Sequence, residues 1–267
     1  MAKMRFRIKL LLAYICDKFG ISDLLFNRLG KRLKNRYIRI INYHNTTIEN
    51  LENFKRQVEF FKRFYKNVSY DEFERFLTSG ELTGDMPGIM LTFDDGLIGN
   101  YTCAYKVLQE YGMTGYFMVS SELVGSRRYM TYSQLRELKD VGHIIGGHTS
   151  THHRMNLEDT KETLEYEILQ SKKVLEKEVG TDINIFCWCG GEESHYTKAA
   201  ADMIKSSGYI YGFMTNSFPV TKNNDSFQIQ RTNVEENWPI YLVKFQVCGF
   251  MDWRFRKKRK RVNDLLR

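Results

Sequence analysis

Two clusters of polar side chains stand directly after apolar runs, and their residue types could do chemistry. Asp94 and Asp95 end the run 88–93, while His148 and His152 follow a second apolar run at a spacing of four residues. Adjacent carboxylates repel each other and are costly to desolvate, so they need an exposed turn, a cation or a shared proton. One carboxylate and two imidazoles supply three ligands for a divalent metal, and the other carboxylate stays free as a base. This combination is typical of a hydrolase.

Each cluster also has a simpler interpretation when it is taken alone. Two aspartates before a glycine are typical of a solvated turn, and a His-x-x-x-His pair often holds no metal. The position of both clusters directly after predicted strands favours the metal site. His153 is a competing ligand, but the four-residue spacing from His148 favours His152.

Short β-rich runs alternate with helical patterns from residue 37 onward, and this order predicts the fold. Strands are predicted at 37–42, 88–93, 114–119, 143–147, 183–188, 209–214 and 227–231. Helices are predicted at 51–65, 69–80, 100–111, 131–142, 157–179 and 196–207, two of them opened by the capping-box signatures Ser69-x-x-Glu72 and Thr131-x-x-Gln134. Repeated strand-then-helix order implies a parallel sheet. Because both reactive clusters follow strands, we expect a distorted, TIM-barrel-like (β/α) barrel of about seven strands.

The length of 267 residues suits one domain of this kind, which we place at 37–250. The chain has an odd number of cysteines without paired zinc spacing, which favours a reduced compartment over a disulfide framework. These cysteines are Cys16, Cys103, Cys187, Cys189 and Cys248.

The net charge of +8 belongs to the two ends of the chain. Residues 1–36 carry ten Lys/Arg and two acids, residues 251–267 carry eight and two, and the middle carries 22 and 28. The apolar residues Ile8, Leu11 and Phe19 share one helical face, which predicts an interfacial amphipathic helix, with a packed helix as the alternative. A short apolar core and the lack of a cleavage site disfavour a signal peptide. We interpret 251–267 as a basic tail.

The motifs Thr92-Phe93-Asp94-Asp95-Gly96 and His148-Thr149-Ser150-Thr151-His152 resemble the first two motifs of the polysaccharide deacetylase family, also called the NodB-homology or carbohydrate esterase 4 family. The resemblance covers roughly residues 37–235. Further strings fall in the familiar order: Asn42-Tyr43-His44, Tyr129-Met130-Thr131, Asp140-Val141-Gly142-His143-Ile144-Ile145-Gly146 and Ser207-Gly208-Tyr209.

The resemblance implies roles for the clustered residues. Asp95, His148 and His152 would bind the metal, and Asp94 would be the base that removes a proton from water. Zn²⁺ suits this ligand set, with Co²⁺ and Ni²⁺ as alternatives. The implied reaction is attack of the activated water on an acetamide carbonyl.

Two features depart from the family pattern. The third motif normally supplies an arginine, but here the stretch reads Cys187-Trp188-Cys189-Gly190-Gly191, so we expect Arg231 to reach Asp94 from a late strand. The usual general-acid histidine near the C-terminus of the domain is missing, and candidates near the third motif are His195, Glu192 and Glu193.

Three further residues are expected to face the substrate: His44, Trp188 and Gly190. For His44, as for His143, a structural role is an open alternative. Trp188 would either stack on a sugar or belong to the core.

The sequence therefore predicts a metal-dependent hydrolase that removes N-acetyl groups from a sugar of a bacterial surface polysaccharide or of its lipid- or nucleotide-linked precursor. Such a protein would be cytoplasmic, with peripheral contact to an anionic membrane through both basic ends. One rival is a carbohydrate-binding protein that has lost turnover. Another is a nucleic-acid-associated protein recruited by its basic ends, which we consider less favoured.

Overall fold

The computed structural model describes residues 2–266 and all of their side chains except those of Ala2, Lys3 and Arg5. Met1 and Arg267, the outer ends of the segments 1–36 and 251–267, lie outside the described residues. Within the described part, nine strands pair in parallel as one sheet. These strands are β1 (Ile38–Tyr43), β2 (Lys66–Asn67), β3 (Gly88–Phe93), β4 (Gly115–Val119), β5 (Ile144–Gly147), β6 (Ile185–Cys187), β7 (Tyr211–Met214), β8 (Ile229–Gln230) and β9 (Thr232–Asn233).

The sheet runs in the order β8-β7-β6-β5-β4-β3-β1-β9, with the two-residue strand β2 beside β3. Strands β8 and β9 are consecutive in the chain and are separated only by Arg231. One pairs with β7 and the other with β1, so the segment 229–233 joins both edges of the sheet and nearly closes it. The predicted (β/α) barrel of about seven strands is confirmed, and in place of the late strand predicted at 227–231 the structure has two short strands, β8 and β9, on either side of Arg231.

Helices cover the outside of the sheet. They are α1 (Ala2–Lys18), α2 (Ile21–Leu33), α3 (Leu51–Phe64), α4 (Tyr70–Ser79), α5 (Lys106–Tyr111), α6 (Tyr132–Asp140), α7 (Lys161–Leu164), α8 (Ser171–Val179), α9 (Lys198–Ser206), α10 (Ile240–Val247), α11 (Phe250–Arg254) and α12 (Arg256–Leu266). Two π-helical turns interrupt them: Asn100–Tyr105 leads into α5, and Glu165–Gln170 joins α7 to α8. None of the helices in this part of the chain has the length and apolar character needed to span a membrane.

The two predicted capping boxes differ in the structure. At the start of α6, Thr131 accepts from the Gln134 backbone N–H, and the Gln134 side chain accepts in return. At the start of α4, Ser69 accepts from the Glu72 backbone, but the Glu72 carboxylate bonds Lys66 and Thr83 instead. The reciprocal bond is lost there because a lysine ammonium is the stronger donor.

Side chains point alternately to the two faces of each strand and form two apolar layers. Ile38, Met90 and Phe213 belong to a cluster inside the barrel, which α4 closes at one end. Neighbouring positions such as Ile41 and Leu91 pack outward against the surrounding helices. Since side chains alternate along a strand, the positions after Met90 with the same parity, Thr92 and Asp94, also point into the barrel.

The basic C-terminal segment is helical and contacts the barrel. Val262 and Leu266 of α12 are buried in the core. Arg259 donates to the backbone carbonyls of Asn216, Ser217 and Asp252, and Lys258 donates to that of Gly191. The sequence indicates a basic tail here. In the structure, part of its positive charge holds α12 in place.

The N-terminal helix contacts the barrel through a narrow face. Ala13 packs with Leu242 and Phe245 of α10. The residues that the sequence marks as an apolar stripe, including Ile8, Leu11 and Phe19, are 54%, 59% and 70% exposed. The helix therefore keeps most of its apolar face in contact with solvent.

Candidate active site

Asp94 follows β3 at the carboxyl end of the barrel and points inward. Arg231, from the split between β8 and β9, holds both of its oxygens: Nη1 lies 2.6 Å from Oδ1 and Nη2 lies 2.8 Å from Oδ2. The same Nη1 donates to Thr92 Oγ1 at 2.9 Å and to Asn42 Oδ1 at 3.2 Å. The predicted approach of Arg231 to Asp94 is therefore present, and both side chains are fully buried.

This environment keeps the Asp94 carboxyl group ionised. Burial acts to raise its pKa, but the Arg231 guanidinium outweighs burial and holds the pKa of Asp94 below its usual range. Cys187 Sγ lies 3.6 and 3.7 Å from the two carboxylate oxygens. Burial raises the pKa of the Cys187 thiol to about 11, so this group stays protonated beside the carboxylate.

Asp95 points toward the two histidines of the second cluster. Its Oδ1 lies 3.4 Å from His148 Nε2 and 3.1 Å from His152 Nε2. Three residues here, Asp95, Thr149 and His152, have positive φ angles of 73°, 65° and 64°. Non-glycine residues rarely adopt this conformation, and such strain gathers at functional sites. The backbone is therefore strained at the turns that bring the side chains of Asp95, His148 and His152 together.

Neighbouring groups fix the histidine loop. His148 Nδ1 lies 2.9 Å from the Cys187 carbonyl oxygen, which leaves Nε2 as the acceptor facing Asp95. Glu167, in the π-helical turn before α8, accepts from the backbone N–H groups of Ser150 and Thr151 at 3.0 and 2.9 Å. It also accepts from the Thr151 hydroxyl at 2.7 Å. Glu167 therefore positions the loop between the two imidazoles.

The donor set fits a divalent cation. Asp95 Oδ1 is buried and accepts no hydrogen bond, although two imidazole nitrogens lie near it. The imidazoles hold the pKa of Asp95 well below its usual range despite its burial. An ionised oxygen without a donor beside two imidazole nitrogens is the arrangement that Zn²⁺ takes in proteins. Burial of the Asp95 carboxylate without a cation would be costly.

Two cysteines offer competing sets of ligands. Ligand atoms of His148, His152 and Cys189 lie within 4.8 Å of one another, and so do those of Asp94, His148 and Cys187. Cys189 Sγ, however, lies 3.4 Å from the His148 carbonyl oxygen and donates to it. We favour Asp95 as the third ligand because its carboxylate is ionised and free, whereas both thiols are engaged as donors.

His44 reaches the same mouth of the barrel from the end of β1. Its Nδ1 lies 3.3 Å from a carboxylate oxygen of Glu235, and both side chains are partly exposed. Burial acts to lower the pKa of His44, but the bond to Glu235 and the charges of Asp94 and Asp95 raise it overall. A protonated imidazole near the two aspartates is a candidate proton donor, in addition to His195, Glu192 and Glu193, which the sequence offered for this role.

The other predicted residues have partners of their own. His195 Nδ1 lies 3.0 Å from the Glu192 carboxylate, and its ring backs onto Gly190, where a Cβ atom would come within 2.4 Å of it. Trp188 is 2% exposed and packs edge-on against Phe186 and Tyr196. With no open ring face for a sugar, Trp188 is a core aromatic, which the sequence left as an alternative.

Sequence reasoning missed Glu235 and Glu167 altogether. Both act through partners that are distant in the chain, so spacing could not reveal them. The only local signal is that Glu235 follows the strand segment that carries Arg231. Because that strand ends at the barrel mouth, a carboxylate just beyond it faces the site.

Comparison with known proteins gives the family. Residues 82–212 match the family model described as polysaccharide deacetylase. The chain is 27% identical over 146 residues to YxkH of Bacillus subtilis (strain 168), a protein named as a candidate polysaccharide deacetylase. This match covers 55% of the chain and 51% of YxkH, so the chain spans about half the length of this relative. Residues 82–212 thus match the polysaccharide deacetylase family that the motifs predict.

Solved structures share the fold. The Streptococcus pyogenes deacetylase PplD, in complex with acetate, superposes with a TM-score of 0.70 at 23% identity, over 79% of this chain and 98% of PplD. IcaB from Ammonifex degensii superposes with a TM-score of 0.67 at 17% identity, over 80% of this chain and 97% of IcaB. These similarities confirm the barrel architecture.

Proposed function

We propose that the chain is a metal-dependent hydrolase that removes N-acetyl groups from a sugar of a bacterial surface polysaccharide or of its lipid- or nucleotide-linked precursor. The observation that carries this proposal is the convergence of Asp95, His148 and His152 beside Asp94, a carboxylate that is ionised and not needed as a ligand. The match of residues 82–212 to the polysaccharide deacetylase family supports the reaction class.

The chain's own residues divide the work. Asp95, His148 and His152 would hold the metal, which supplies Lewis acidity for water and for the acyl oxygen when it is bound. Asp94, kept ionised by Arg231, takes the proton of the attacking water. His44 donates a proton to the departing amine, and Glu235 keeps it protonated until then.

Acetate release from N-acetylglucosamine tetramer tests the proposal. The intact protein should release acetate when it is supplied with zinc and should lose this activity after treatment with EDTA. Asp94→Asn should lower turnover by roughly a hundred- to ten-thousand-fold, as expected for a lost base. Tight binding of the tetramer without acetate release would instead favour the rival carbohydrate-binding protein.

We also propose that the protein works at the cytoplasmic face of a membrane as a peripheral protein. Support comes from the exposed apolar stripe of α1 and from the basic residues of the two ends. Each Lys or Arg near an anionic surface contributes about 1 kcal/mol. Membrane fractionation with and without residues 1–36 tests this, and an intact protein found entirely in the soluble fraction would contradict it.

A further inference from the structure

An apolar groove lies between α1, α10 and α11, outside the candidate active site. Its volume is about 520 Å³. The walls are formed by Ile8 and Leu12 of α1 on one side and by Phe245 and Phe250 on the other. Its apolar lining would shield a single hydrocarbon chain from water, which stabilises binding in proportion to the apolar area covered.

Two cations stand in this groove without a counter-ion. Lys9 and Arg254 both line it, and neither forms an ion pair with any side chain that the structure describes. The Lys9 ammonium lies 4.4 Å from the centre of the Trp238 ring. Burial and the nearby charge of Arg254 together lower the pKa of Lys9 to about 8. Like charges in an apolar setting repel, so an anion placed between them would be stabilised.

The groove borders the loop that supports the active site. Trp238 lies three residues after Glu235, and Glu235 contacts His44 at the barrel mouth. The charge of Glu235 also acts on Lys9. An anionic group on Lys9 and Arg254 would therefore lie near the loop that carries Glu235.

We propose that the groove binds the hydrocarbon chain of a lipid phosphate that carries the sugar substrate, with the phosphate on Lys9 and Arg254. This inference rests on the proposed deacetylase function and specifies a lipid-linked saccharide as its substrate. A phosphate fits because it offers several acceptor oxygens to one ammonium and one guanidinium.

A single lipid chain fits this groove better than a flat membrane surface does. A bilayer surface would contact the outer side of the N-terminal segment, where Leu11 of α1 and Phe19 just after it are exposed and lie outside the groove. Leu12, next to Leu11 in sequence, faces into the groove. Substitution of each of these two neighbouring leucines therefore distinguishes binding of a lipid in the groove from contact with a membrane surface.

Calorimetric titration of the intact protein with farnesyl phosphate, below its micelle concentration, tests the inference. Farnesyl phosphate should bind at least about tenfold more tightly than farnesol, and inorganic phosphate should bind more weakly still. Lys9→Gln and Arg254→Gln should each weaken binding of farnesyl phosphate about tenfold. Leu12→Gln should also weaken it, whereas the matched control Leu11→Gln should leave it unchanged.

Three results would overturn the inference. The first is farnesyl phosphate binding no more tightly than farnesol, and the second is an unchanged affinity for farnesyl phosphate in Leu12→Gln. The third is binding only to phosphatidylglycerol vesicles, weakened equally by Leu11→Gln and Leu12→Gln, which would identify a membrane-contacting face. The titration needs no turnover, so it is independent of acetate release from the soluble tetramer. Acetate release without lipid binding would refute this inference alone, and lipid binding without acetate release would refute the proposed function.

Discussion

Arg231, the one residue that separates β8 from β9, donates hydrogen bonds to both carboxylate oxygens of Asp94, at 2.6 and 2.8 Å. That residue is also the point where the two edges of the sheet meet. The segment that closes the barrel therefore also carries the side chain that orients the proposed base. In many enzymes a base is oriented by a neighbour in the same motif, but here the orienting group lies 137 residues away in the chain.

Arg231→Lys should lower deacetylation by on the order of a hundredfold, because a lysine keeps the charge but cannot hold both oxygens of Asp94. Steady-state kinetics on the N-acetylglucosamine tetramer measure this, with the loss expected in kcat. The exposed Arg75→Lys on α4 is the matched control and should retain full activity. Equal turnover in both variants would dismiss the orienting role.

Glu235→Gln should move the pH profile of activity. His44 acts as an acid only while it is protonated, so the rate falls as the pH rises through its pKa. Glu235 raises that pKa, and removal of its charge should shift the descending limb to lower pH. The profile of kcat/KM against pH measures the shift, and a descending limb that stays in place in Glu235→Gln would rule out His44 as the acid.

His143 should make stability depend on pH. Its Nδ1 accepts from the Gly115 backbone N–H at 2.9 Å, and burial lowers its pKa from 6.5 to about 4. The unfolded chain binds more protons than the folded one between these values, so stability should fall by at most about 3 kcal/mol as the pH drops from 6.5 to 4. His143→Asn keeps an acceptor for Gly115 and should show a shallower decline in urea unfolding. An identical decline in both proteins would contradict this.

Asp252→Asn should destabilise the fold. Arg39 is fully buried on the outer side of β1, and its guanidinium donates to both Asp252 oxygens at 2.7 and 2.9 Å. Loss of the charge leaves a buried cation uncompensated, which costs about 3 to 5 kcal/mol of unfolding free energy. Denaturant unfolding measures this. Asp264→Asn, an exposed change in α12, is the control and should alter stability by about 0.5 kcal/mol or less.

Local patterns predicted most of the barrel. The strand predicted at 88–93 and the capping box at Thr131 are found as expected, since apolar runs and helix caps depend on nearby residues. The split of the last strand at Arg231 could not be read from the sequence, because it depends on pairing with two strands from distant parts of the chain. The same limit applies to β2, whose two residues carry no pattern of their own.

The high charge of the C-terminal segment kept its helices from being predicted. A run of Lys and Arg indicates a solvated tail unless their acceptors are known, and the acceptors of Lys258 and Arg259 are backbone carbonyls of other loops. At the site, the motifs marked the two aspartates and the histidines because these are close in sequence. His44 and Glu235 lie 191 positions apart and meet only because both follow strands at the barrel mouth.

Metal content is the most direct test of the central claim that Asp95, His148 and His152 share one divalent cation while Asp94 stays free. After dialysis against zinc, the intact protein should hold about one equivalent per chain by atomic emission. Asp95→Ala and His148→Gln should lose that zinc, whereas Asp94→Asn should keep it and still fail to release acetate. Zinc retained in full by Asp95→Ala, or lost from Asp94→Asn as completely as from His148→Gln, would contradict the account.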